Sequence, residues 1–235
     1  MIRALILLTA LLAARAAAQP DLGPFVGREL APGLHLLTTP PDYLGRVIGN
    51  VSIIEQRDGL VLVDSGGTIA DGRRVVAYIR SFTRKPVKAI LITHWHGDHP
   101  LGIAAIRAAW PRVRIISTVA TRTGLLGPSL TMVALRPDER YETMVLNLSS
   151  EALTRIRARR DDPAGTEAQR RFYDRMARET EAGAIDFRGT YLVPPTETFT
   201  DRLTIDDPER PVQLMFLGRA NTEGDAIAWL PDSIS

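Results

Sequence analysis

An α/β fold built on a mixed sheet is what this sequence predicts, and three observations predict it. Apolar runs rich in branched residues alternate with helical patterns: strand at 59–64, helix at 71–82, strand at 87–93, helix at 101–110, strand at 113–117. Such strand–helix–strand units give parallel neighbours through right-handed crossovers. An Asp58-Gly59 turn joins the first of these strands to an apolar run at 47–55, which adds an antiparallel hairpin. Finally, three of the four histidines fall together on the loop leaving the carboxyl end of the 87–93 strand. Open α/β sheets hold their ligands at that end.

The elements follow in order. Residues 1–18 have the layout of a secretory signal: Arg3, an apolar core at 4–14, then Ala16-Ala17-Ala18 before Gln19. The apolar run is shorter than the ~20 residues a spanning helix needs, and Arg15 interrupts its end. The expectation is a periplasmic or secreted protein with no stable membrane insertion after cleavage, and one domain over 19–235. Residues 19–32 carry three prolines and predict an irregular lead-in. Residues 33–38 form a first strand, in which His35 among leucines is structural. Asp64 closes the strand at 59–64 and runs into Ser65-Gly66-Gly67.

Val75, Val76 and Ile79 give the 71–82 helix its apolar face, and Asp71 sits in its first turn. Pro100 suits the first turn of the next helix, where its missing N–H costs nothing. Residues 121–136 contain glycines and a proline and predict a loop near the cleft. A charged helical insertion spans about 137–186, with helices at 151–160 and 167–181. Phe172, Met176 and Tyr173 give it a sparse apolar stripe, expected to pack on the main domain. Strands follow at 212–217 and 226–231, separated by a polar loop at 218–225.

The 235 residues are 45% hydrophobic and carry a formal charge of +2, enough for one packed core. Basic residues are interspersed, which argues against a nucleic-acid surface. With no cysteine there are no disulfides and no thiolate ligands, so a metal must be held by His, Asp, Asn and water.

The site motif is His94-Trp95-His96-Gly97-Asp98-His99. Two residues apart in extended backbone, His94 and His96 point to one side and can share an ion. Past Gly97 the chain can turn, so Asp98 and His99 can face a second ion beside the first. Two such ions about 3.5–4 Å apart support hydrolysis.

This pattern resembles the metallo-β-lactamase-fold hydrolases, whose signature is His-x-His-x-Asp-His after a buried strand. The resemblance implies a four-layer αββα sandwich, of which this chain would be the N-terminal half to two-thirds. It implies an exported zinc hydrolase acting on a small molecule. Hydroxide carried by zinc would attack an ester, thioester or amide centre, β-lactams included. By the same resemblance His94 and His96 hold the first ion, Asp98 and His99 the second. Asp98 is catalytic as well, and Asp64 orients a ligand imidazole from behind.

Two departures from the family pattern follow. Where the family has Gly-x-x-His-Thr after the 212–217 strand, this chain has Asn221, a substituted metal ligand or a water binder. No histidine follows His99, so the expected C-terminal segment, with its bridging aspartate and last histidine, is missing from this sequence. The expectation is a C-terminally incomplete chain of a family that takes one or two zinc ions, here with an incomplete second site and at most one ion bound. Its open apolar sheet edge would drive self-association. The rival reading is a non-catalytic metal-binding protein of the same fold.

Overall fold

The computed structural model describes residues 20–127 and 139–231, and for residues 139–148 the backbone only. The expected signal at 1–18 and most of the expected cleft loop, from 128 onward, lie outside the described residues.

Seven strands form the first sheet in sequence order. They are β1 (Val26–Ala31), β2 (Leu34–Thr38), β3 (Val51–Glu55), β4 (Leu60–Val63), β5 (Val87–Leu91), β6 (Arg114–Thr118) and β7 (Glu197–Phe199). From β1 to β4 the neighbours are antiparallel; from β4 to β7 they are parallel. The helices α1 (Ile69–Phe82) and α2 (Ile103–Ala109) are the crossovers that make this switch. The second sheet has three antiparallel strands, β8 (Arg202–Ile205), β9 (Val212–Phe216) and β10 (Ala226–Trp229), in the order β10-β9-β8.

The period-two pattern divides the central strands between two cores. Leu60, Leu62, Ile90, Ile92 and Ile115 face α1 and α2, where Val75, Ile79, Ile103 and Ile106 meet them. Val61, Ala89, Leu91 and Ile116 face the second sheet, packing on Ile205, Val212, Leu214 and Ala226. Because both faces of β4, β5 and β6 are covered, these strands are apolar almost throughout. The described layers are therefore helix, sheet and sheet, three of the four in an αββα sandwich. Among the described residues, no helix is long and apolar enough to cross a membrane.

Three helices complete the described chain: α3 (Val119–Leu126), α4 (Glu139–Arg160) and α5 (Glu167–Asp186). Thr166 caps α5 in a reciprocal capping box with Gln169. At its other end Asp186 accepts two hydrogen bonds from Arg74 of α1, at 2.6 and 3.1 Å. Arg74 and Arg46 also share the fully buried Asp71, so an alternating network of two arginines and two aspartates ties α5 to α1.

The structure corrects several local expectations. The lead-in contains β1, an edge strand whose residues are nearly all exposed, so no alternation marks it. Residues 47–50 are not strand; Val47 is 79% exposed, and the ladder begins at Val51. Residues 121–126, expected as loop, lie in α3, capped by the Thr118 side chain. In α5 the buried positions are Ala177 and Gly183, while Phe172 is 43% exposed. Small residues let the helix approach closely, so the large apolar ones mislead about its packed face.

Candidate metal centre

The histidine loop starts where β5 ends, and three hydrogen bonds to its carbonyls fix its path. Ser65 donates its N–H and its hydroxyl to the His99 carbonyl, at 2.9 and 2.7 Å. Gly49 donates its N–H to the Asp98 carbonyl at 3.1 Å. A side chain on Gly49 would stand 2.8 Å from that carbonyl oxygen and from the His99 ring, so this position needs glycine, while one on Gly67 would press on the Asp98 backbone at 3.0 Å. Behind the loop, Gly102 passes so close to Ser65 that an added Cβ would stand 2.0 Å from the Ser65 carbonyl oxygen.

Asp64 lies beneath this loop, 4% exposed, with φ of +63°. A left-handed conformation costs an L-residue roughly 1–2 kcal/mol, and aspartate is among the residues that tolerate it. The side chain uses that turn to reach across to β5. One carboxylate oxygen accepts the Thr93 N–H at 2.9 Å; the other accepts the Thr93 hydroxyl at 2.8 Å and faces His99 Nδ1 at 2.7 Å. Thr93 Oγ1 in turn lies 3.0 Å from His94 Nδ1.

On the open side the histidines converge. His94 Nε2 and His96 Nδ1 are 3.2 Å apart. The amide of Asn221 completes a triangle, with Nδ2 3.1 Å from each of those two nitrogens. His99 Nε2 stands 3.2 Å from Asp98 Oδ2, and the His94 and His99 rings are 4.1 Å apart, centre to centre. The two pairs thus share one site. Among the described residues, no three His, Asp or Glu side chains gather at one point; the third group is the amide.

The two halves differ electrically. Burial pushes His94 below the ordinary imidazole range, and the charge of His99 adds to that shift. For His99, burial opposes protonation, yet the hydrogen bonds to Asp64 and Asp98 outweigh it and hold its pKa at about 10. Burial of Asp98 favours its acid form, but His99 beside it keeps the carboxyl below the usual range.

Asn221 arrives from the second sheet. Its loop follows β9 and is folded by Asp225, whose carboxylate accepts the Asn221 N–H at 3.2 Å and the Thr222 N–H and hydroxyl at 2.5 and 2.6 Å. The Gly224 carbonyl accepts the hydroxyls of Thr118 and Thr121, both at 2.8 Å. The N–H of Ala226 donates to the Thr93 carbonyl at 2.9 Å, joining this loop to the histidine loop. Sequence reasoning passed over Thr93, Ser65 and Asp225. No simple signal marked Asp225, because turn-forming aspartates usually bond N–H groups that follow them, whereas this one accepts from residues three and four positions before it.

A family described as the metallo-beta-lactamase superfamily matches residues 44–233. The chain belongs to the metallo-β-lactamase superfamily. Solved members share its fold at low identity. A metallo-β-lactamase from Pontibacter korlensis is 17% identical with a TM-score of 0.51, over 88% of this chain and 67% of that one. The metallo-β-lactamase FIM-1 from Pseudomonas aeruginosa, in a mono-zinc form, is 16% identical with a TM-score of 0.51, over 91% of this chain and 68% of that one. A linear primary-alkylsulfatase from a Pseudomonas species is 36% identical over 90 residues, 34% of this chain and 17% of that protein. The superfamily thus includes a sulfatase beside the β-lactamases, and this chain matches only a small part of that curated relative.

Proposed function

We propose that the chain is the metal-binding part of an exported, zinc-dependent hydrolase that cleaves a sulfate ester. The observation that carries the metal reading is the triangle of His94 Nε2, His96 Nδ1 and the Asn221 amide, with edges of 3.1, 3.1 and 3.2 Å. Tetrahedral zinc ligands at ~2.0–2.1 Å stand about 3.3 Å from one another, so the donor set fits such an ion. The amide can rotate to present its oxygen, a harder and weaker donor than the imidazole the family uses here.

His94, His96 and Asn221 would hold the first ion, and Asp98 and His99 would offer a weaker second place. A bound divalent ion supplies Lewis acidity and lowers the pKa of water near it. The chain's own residues do the rest. Asp98, partly buried beside His99, would accept a hydrogen bond from the attacking water and align it. Asp64 holds the His99 ring from behind at Nδ1. Among ester, thioester and amide centres we favour the sulfate ester, because the relative that shares 36% identity is named an alkylsulfatase, whereas the solved β-lactamases share 16–17%.

Export rests on the signal layout of residues 1–18, with the mature chain starting at Gln19. The β10 edge, with Ile227 and Trp229 exposed, supports self-association of this chain. The absence of a third His, Asp or Glu at either half of the site, among the described residues, favours one alternative, a non-catalytic metal-binding protein.

One experiment separates these readings. Dialysed wild type should retain one zinc per chain and His96→Ala none. The zinc-loaded protein should release sulfate from a primary alkyl sulfate and leave a cephalosporin intact. Zinc retention with no turnover of either substrate would establish the non-catalytic alternative, and two tightly held ions would refute the single-site assignment. Intact mass of the exported protein should show loss of residues 1–18.

A further inference from the structure

The structure assigns Thr93 a role of its own: we propose that its hydroxyl is a positioning group that locks His94 with the proton on Nδ1 and the lone pair on Nε2. The consequence for metal binding rests on the reading above; the lock itself does not.

The assignment is a count of protons. Both oxygens of Asp64 are engaged as acceptors, one by the Thr93 N–H at 2.9 Å, the other by the Thr93 hydroxyl at 2.8 Å and His99 Nδ1 at 2.7 Å. An ionised carboxylate has no proton to give. The single hydroxyl proton of Thr93 is therefore committed to Asp64. What Thr93 Oγ1 presents to His94 Nδ1, 3.0 Å away, is a lone pair. Two acceptors do not bond, so Nδ1 must carry hydrogen. In a neutral imidazole the other nitrogen then carries none.

One carboxylate, turned across the strand by its left-handed backbone, thus orients two histidines: His99 by direct contact and His94 through the threonine. A strand-end threonine that merely satisfied Asp64 would leave His94 free to place its proton on either nitrogen.

The test compares Thr93→Val, which keeps shape and loses the hydroxyl, with Thr93→Ser, which keeps the hydroxyl. Thr93→Ala repeats the deletion should valine disturb the end of β5. Long-range proton–nitrogen correlation spectra of the metal-free full chain, labelled with nitrogen-15, read the tautomer of His94 directly. Wild type and Thr93→Ser should show Nδ1 protonated and Nε2 bare. The valine and alanine variants should show a mixture, or the opposite tautomer. Zinc competition against a chromophoric chelator should then show binding weaker by about tenfold to a hundredfold in those two variants, the usual effect of removing a partner behind a ligand, with rescue in Thr93→Ser.

A wild-type His94 protonated on Nε2 would overturn the proposal. So would an unchanged tautomer in both deletion variants, or a serine variant as impaired as the valine one. A locked tautomer in a wild type that takes no zinc would refute the metal reading and leave the lock standing.

Discussion

Two loops meet at the candidate metal centre, and they are built in opposite ways. The loop of the first sheet, from Thr93 to His99, sits on buried structure. Its carbonyls are bonded to Ser65, Gly49 and Ala226, and its side chains rest on Asp64. It presents four groups to the site. The loop of the second sheet, from Gly218 to Asp225, is largely exposed, is folded mainly by Asp225, and presents one group, Asn221. The first loop has almost no freedom to change, because its carbonyls are held by neighbouring N–H groups and its side chains by the buried Asp64. The second can exchange its one residue without disturbing a core. Asn221, which stands where the resemblance leads one to expect a histidine, falls on that second loop, where the packing permits a change.

The largest effect should come from breaking the seat of the first loop. Gly102→Val places a side chain into the Ser65 carbonyl and should cost about 3 kcal/mol or more, beyond the usual penalty of overpacking. Gly218→Ala meets no atom within 4 Å and carries only the strain of its φ of +121°, on the order of 1–3 kcal/mol. Urea unfolding of the two variants measures the contrast, and equal losses would abolish it.

Next comes the unequal weight of the ligands. His96→Ala should end zinc retention through dialysis, whereas Asn221→Ala should weaken it and leave it measurable. If the alanine at 221 proved as damaging as the one at 96, the amide would rank with the imidazoles. In the other direction, Asn221→His should tighten zinc by on the order of tenfold, since imidazole suits zinc better than an amide oxygen. Chelator competition reads both.

The smallest effect belongs to Asp225→Asn. It swaps one accepting oxygen for a donor and should cost about 1 kcal/mol, seen as a few-fold loss of zinc affinity with little change in unfolding midpoint. A collapse of stability there would mean that the second loop is as deeply seated as the first.

How much of this was legible before the structure follows the same divide. The run from β4 to β6 could be read because both of its faces are buried, and burial imposes an apolar pattern that neighbours in sequence share. The histidine cluster could be read for a similar reason, since its four groups lie within six residues. β1 was not visible because an exposed edge strand imposes no pattern, and Val47 misled because an apolar residue stands in solvent. The packed face of α5 was hidden because it is made by Ala177 and Gly183 and by the pairing of Asp186 with arginines elsewhere. Thr93 is an ordinary strand-end threonine until β4 is laid beside β5; only that neighbour supplies the carboxylate that gives its hydroxyl a direction. Asn221 was placed near the histidines by resemblance alone, because 127 residues separate it from His94.

That separation gives the triangle a mechanical meaning. A cation held between His94 and Asn221 would close a very long loop, and loop-closure entropy grows only with the logarithm of loop length. Each ligand on its own is cheap to dissociate, yet the ion as a clasp spans both sheets. Because the unfolded chain has no preformed site, the ion would favour the folded state, restraining the first sheet and the second from parting. By joining the two loops it would also hold the halves of the sandwich in register, so that loss of the ion would be felt first as a loosening of β9 and β10 against the rest.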